Sequence, residues 1–301
     1  MAIETEHTIR PTSLSKRFSA PISLLVILLL SLWAASQIPA IWQLISQFGH
    51  YLFLGITGAI FANATGAGGG VIFIPVFTHL GFNDAQSLST SFAIQCFGMT
   101  AGAISWSWYY LRHQKTQGQW HYFLPFVSII SLFSIAGIWT SYGANLPSPA
   151  SLHFGFSLFS ILLGITLIYS SQQNKKTHNF NIIHIDYLML ASIGFFGGII
   201  TTWLSVGVGE LVVIYLMLRG VCAKMAIATG VVVSAISVWS ASPVHLGPNS
   251  AADFYLVLFA GPGAVIGGLL ARKLALYLPV LKLKLFFSSW IILTGAAMLA
   301  E

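Results

Sequence analysis

Seven apolar runs follow one another with only short polar breaks between most of them: 21–47, 84–111, 121–142, 151–171, 224–246, 252–276 and 282–300. A helix crosses the hydrocarbon core of a bilayer with ~20 apolar residues. Inside that core the main chain has no water to bond, so it must satisfy its own N–H and C=O groups, as a helix does. The 301 residues are 56% hydrophobic and only 7% charged, where soluble domains carry roughly 25% charged residues. This chain has too little polar surface to face water, and the pattern predicts an all-α polytopic membrane protein whose solvent is the lipid bilayer.

The net charge of +6 points to a topology and not to a nucleic-acid partner. Basic residues gather between the apolar runs: Arg10, Lys16 and Arg17; Arg112 and Lys115; Lys175 and Lys176; Arg272 and Lys273; Lys282 and Lys284. Such clusters mark cytoplasmic loops. The polar start followed by an apolar run resembles a secretion signal, but apolar sequence continues to Ile45, so an uncleaved first span is expected. The two cysteines, Cys96 and Cys222, sit in or beside apolar segments and form no metal or redox motif. The sequence calls for no cofactor, and the scattered histidines give no metal set.

Two further apolar stretches, 49–80 and 185–219, are interrupted by glycine-rich breaks. The first reads Gly66-Ala67-Gly68-Gly69-Gly70 and the second Ser205-Val206-Gly207-Val208-Gly209-Glu210. Sliding the chain by 139 positions places Gly55 on Gly194, Gly58 on Gly197, Gly68 on Gly207, Gly70 on Gly209, Gly81 on Gly220 and Thr90 on Thr229. Matched interruptions in two halves of a membrane protein point to a transport site between them.

Charge orients the chain. With Arg10, Lys16 and Arg17 inside, the first span exits. If 49–80 dips into the membrane and returns, every later basic cluster falls inside, and the outer connections 143–150 and 247–251 carry no Lys or Arg. Each half then holds one re-entrant segment and three crossings. Three is odd, so the second half is inverted relative to the first. The expected layout is a first unit of 1–48, repeat 1 over 49–172 and repeat 2 over 184–301, with the N-terminus cytoplasmic and the C-terminus outside. A broken full crossing at each interrupted segment is the alternative. A homo-oligomer is compatible with the sequence.

Glycine permits the backbone angles and close approaches such breaks require. Free amides at the start of a half-helix attract anions. The candidate substrate-binding positions are therefore Gly66, Gly68, Gly69, Gly70, Thr90, Ser91, Gly207, Gly209 and Thr229. Asn63, Thr65, Gln95, Thr201, Thr202, Ser205 and Ser234 are further polar groups near the breaks. Close helix packing is the rival role for any single glycine. Glu210 stands apart as an ionisable side chain within an apolar segment, a functional position by default. It can carry a proton, or bind a cation as an oxygen ligand. Asp84 and Asp253 fall at helix starts, where capping accounts for them. No HExxH motif or nucleophile–base pair points to an enzyme. A channel and a non-transporting assembly factor are further alternatives.

At these residues the chain resembles the TauE/SafE sulfite-exporter family. The first half carries Gly55-x-x-Gly58, Gly66 to Gly70, Ile74-Pro75, and Gly81 followed by Ser89-Thr90-Ser91. The second carries Gly194-x-x-Gly197, Gly207-Val208-Gly209, Gly220 and Ala228-Thr229, and the ending Pro262 to Gly268 with Thr294-Gly295 is also similar. The resemblance covers about 49–299. It implies a transporter of the bacterial inner membrane that exports sulfite, an organosulfonate or another small anion, driven by the proton gradient. Two positions depart from the pattern. Val208 stands where glycine is common, beside Glu210, and Ile214 stands at the position matching Pro75. A carboxylate beside an anion site must be protonated or paired, which gives Glu210 a coupling role or favours the cation reading.

Overall fold

The computed structural model describes residues 41–115, 118–148, 151–173, 182–278 and 280–300. Among these the regular elements are all helical. They are α1 (Ile41–Phe48), α2 (Tyr51–Thr65), α3 (Gly70–His79), α4 (Asp84–Tyr109), α5 (Phe123–Gly143), α6 (Leu152–Gln173), α7 (His184–Leu204), α8 (Val208–Leu218), α9 (Ala223–His245), α10 (Phe254–Tyr277) and α11 (Val280–Ala300). Residues up to Gln47 form a unit of their own. The expected first span at 21–47 therefore lies outside the described residues apart from its helical end. So do the Lys175–Lys176 connector and the basic cluster of the N-terminal tail.

The six later spans expected from hydropathy correspond to α4, α5, α6, α9, α10 and α11, with ends within a few residues. Among the described residues five helices, α5, α6, α7, α9 and α10, are long and apolar enough to cross a membrane, or six if Trp42–Phe48 and Tyr51–Thr65 count as one span; α7 belongs to the interrupted segment expected to dip in and return. α4 is long enough but less apolar, because its polar side chains Ser87, Ser89, Thr90, Ser91 and Gln95 all face inward. The interior is apolar with polar side chains set into it, and the outer surface carries large apolar side chains. Leu132, Leu188 and Phe196 are more than 60% exposed, while Asn63, Gln95, Glu210 and Ser237 are buried. An apolar outer face, with the polar side chains kept inside, is what a lipid solvent requires.

Glycines set how closely the helices approach. A Cβ added at Gly55 would lie 1.9 Å from the Ala260 carbonyl oxygen, and one at Gly263 2.2 Å from that of Leu52. α2 and α10 thus cross backbone to backbone. α5 and α7 do the same, with an added Cβ at Gly137 lying 2.0 Å from the Phe195 carbonyl and one at Gly194 2.6 Å from that of Ile130. Small residues at membrane helix crossings gain dispersion contacts that lipid cannot match. In addition α4 packs on α10 and α9 on α5, α4 and α9 pack on each other, α6 packs on α11, and α3 leans on α4 as α8 does on α9. Exchanging α2–α6 for α7–α11 turns this set of pairings into itself.

Both interrupted segments fold back. Phe73 of α3 rests on Gly58 of α2, and Phe77 and Phe82 share an apolar cluster with Tyr51 and Leu54. In the second segment Val208 lies against Gly197. The far ends are tied by Arg219, which donates to Asp186 through Nε at 2.6 Å and Nη2 at 2.9 Å, and by Tyr215, which donates to it at 2.6 Å. Asp186 near the start of α7 thus meets the end of α8, so the two helices form an antiparallel hairpin. Asp253 caps α10 by accepting from Leu256 N at 3.0 Å, while Asn83 caps α4 with Asp84 in its first turn. His245, the last residue of α9, is buried. Its ring is stacked on Phe92 and lies within hydrogen-bond distance of Ser89 and Tyr142.

Candidate functional site

The breaks at 66–69 and 205–207 meet between α4 and α9. Each begins with a residue in the left-handed region that ends the preceding helix: Gly66 at φ 81° and Ser205 at φ 59°. They are 139 positions apart, the spacing that superimposes the glycines. Left-handed backbone costs a residue with a Cβ roughly 1–2 kcal/mol, so Ser205 is held there by its surroundings. Its hydroxyl donates to Ser91 at 2.9 Å and accepts from Gln95 Nε2 at 2.8 Å. The start of each half-helix sits on the cap of the other break. A Cβ at Gly70 would lie 2.5 Å from the Ser205 carbonyl oxygen, and one at Gly209 2.8 Å from that of Gly66. These two contacts are each other's counterpart under the same shift.

Gln95 and Glu210 tie the cluster together. Gln95 accepts from Gly69 N at 2.9 Å and donates to Ser91 at 3.0 Å and to Ser205. Glu210, 3% exposed, accepts from Gly68 N at 2.5 Å through Oε1 and from Gly207 N at 2.9 Å through Oε2. Thr201 accepts from Val208 N at 3.2 Å. A cavity lined by Gly68, Gln95, Thr201, Glu210 and Ser234, among others, has room for about one water. Gln95 is the twelfth residue of α4 and Ser234 the twelfth of α9. The cluster therefore stands at mid-height on the two long helices.

The expected site residues divide. Gly68, Gly69 and Gly207 aim N–H groups at side-chain oxygens, and Ser91 joins the serine network. Gly66, Gly70 and Gly209 serve the approach of the two breaks. The hydroxyls of Thr90 and Thr229 are engaged elsewhere, Thr90 accepting from Asp253 N at 3.0 Å and Thr229 donating to the Met225 carbonyl of its own helix at 2.9 Å. Gln95 and Ser205, which the sequence presents only as polar groups near the breaks, are the hubs. The 139-residue shift pairs them with Ser234 and Gly66, but without identity, so matching identical residues passes over them.

Replacing Gln95 with leucine strands the Gly69 N–H and removes the partner of two serines. A buried unsatisfied group costs about 1–3 kcal/mol, so thermal unfolding in detergent should show a loss of about 2–3 kcal/mol. Thr229→Val removes only a bond back to its own helix and should cost less than about 1 kcal/mol. Equal melting of the two variants would contradict this ranking.

The fold and its lipid-facing surface define a polytopic membrane protein with two broken helices closing on a buried polar centre. A family model described as "Sulfite exporter TauE/SafE" matches residues 51–298, and the chain belongs to that family. The family is one of membrane transporters for sulfite- and sulfonate-type anions. No curated protein and no solved structure matches the chain.

Proposed function

We propose that this protein is a proton-coupled secondary transporter, not an enzyme, that carries sulfite, an organosulfonate or a related small oxyanion across a bacterial-type inner membrane. The observation that carries this reading is the convergence of N–H donors from both breaks, Gly68 and Gly207, on one buried carboxylate. Donors arranged around an anion repel a cation, which favours an anion over the carboxylate-dependent cation reading. Residues 49–172 and 184–301 act as inverted repeats whose re-entrant segments meet at the midplane. The pairings that survive exchange of the halves support this arrangement. The N-terminus lies in the cytoplasm and the C-terminus outside.

The test is uptake of labelled sulfite and organosulfonates into inside-out vesicles under an imposed pH gradient. Saturable flux that collapses with the gradient is expected. Absence of flux for every anion in the panel, with the protein folded and inserted, would overturn the reading. Metal uptake that is lost in Glu210→Gln would put the cation carrier in its place.

A further inference from the structure

Glu210 already occupies the position an anionic substrate would take. Its two oxygens bridge Gly68 N and Gly207 N, one from each break. This is how an O–S–O edge of sulfite or a sulfonate would bind, one oxygen to each N–H. The space left beside the carboxylate has room for about one water and none for an oxyanion. Among the residues lining the cavity Glu210 is the only one that titrates. The polar groups facing it from the packed elements are Gln95 of α4, Ser205 of the break, Thr201 of α7 and Ser234 of α9. None carries a charge. Along its own helix the nearest cation, Arg219, is nine positions away, about 14 Å along the axis, and it is bound to Asp186. Two anions cannot share a cradle whose only counter-charge is a pair of amide dipoles.

We infer that Glu210 is the resident anion of this cradle and that a substrate anion enters by changing places with it as its carboxylate takes up a proton. The proton forms an O–H bond on Glu210 and no bond to the substrate is made or broken. The freed carboxyl group then donates within the same cavity, where Ser234 and Thr201 offer hydroxyl oxygens. For a monovalent anion the exchange brings in one negative and one positive charge and is electroneutral. Coupling follows from competition for two N–H groups: the site holds either the carboxylate, or the substrate together with a proton. This inference rests on reading the cluster as an anion site and adds how proton and anion are linked.

The experiment uses the full-length protein in detergent with methanesulfonate, an anion that does not itself titrate where carboxylates do. In wild type, affinity should rise about tenfold for each unit of falling pH while Glu210 is ionised, and binding should take up close to one proton per anion from weakly buffered solution. Glu210→Gln and Glu210→Ala should bind at least as tightly as wild type at neutral pH, with no pH dependence and no proton uptake. Binding to wild type without proton uptake would overturn the inference while leaving the transport reading in place. So would retained pH dependence in a folded variant, or loss of binding in both variants with unchanged melting. If neither variant folds, the wild-type proton count decides alone. No binding of methanesulfonate, sulfite or other sulfonates at either pH would overturn the anion site itself.

Discussion

Replacing Gly55 with valine will leave little folded protein. An added Cβ there would lie 1.9 Å from the Ala260 carbonyl oxygen and 2.9 Å from the Ala264 nitrogen, and neither can rotate aside because both are main chain of α10. Gly263 and Gly267 meet α2 in the same way, with added Cβ atoms 2.2 Å from the Leu52 carbonyl oxygen and 2.3 Å from that of Ile56. Relief therefore requires α2 and α10 to separate along their whole crossing. Overpacking costs typically ~1–3 kcal/mol where side chains can adjust, and here the cost should exceed that range. In a bilayer, packing is most of what holds two apolar helices together. Size-exclusion of detergent-solubilised protein should lose its monodisperse peak. Gly143→Ala, where an added Cβ meets nothing within 4 Å, should behave as wild type. A well-folded Gly55→Val protein would refute the backbone-to-backbone crossing.

The second large effect is an asymmetry within one ion pair. Arg219→Met should destabilise the protein more than Asp186→Leu. Asp186 is buried, while the Arg219 side chain is 37% exposed. Without Arg219 the carboxylate stays in the interior with Tyr215 and the Ile183 N–H as partners. Stranding one member of a buried pair costs about 3–5 kcal/mol, and solvent screening at the exposed arginine argues for about 3. Without Asp186 the guanidinium can turn to water, and the losses are the acceptors of the Ile183 N–H at the start of α7 and of the half-buried Tyr215 hydroxyl, together about 1–2 kcal/mol. Thermal unfolding in detergent measures both. The reverse order would mean that Arg219, not Asp186, is the member the fold cannot leave unpaired.

The six later spans and their order were legible because each follows from a local property, apolar length between polar breaks. The meeting point of the breaks was legible from the repeated glycines. The partners of Glu210 were not. Gly68 lies 142 positions away, and the position matching Glu210 in the first half is Val71, so nothing in the repeat announces a carboxylate there. Thr90 and Thr229 align as identical residues yet bond outside the cluster. Gln95 and Ser234 align without identity and line its cavity. Repeat register carries geometry, while chemistry is assigned to each half separately. His245 shows the same limit: its place at the end of α9 gave its depth along the helix, but not that Phe92, Ser89 and Tyr142 would enclose it.

The crossing of α2 on α10 also sets a timetable. The ribosome makes Ala260 roughly 200 residues after Gly55, at ~5–20 residues per second. The first hairpin therefore waits about 10–40 s in the membrane before its main partner exists. The α5–α7 crossing closes much sooner, because Phe195 follows Gly137 by fewer than 60 residues. Assembly thus runs from the middle of the chain outward, and α2 with α3 is the segment that membrane quality control has longest to inspect.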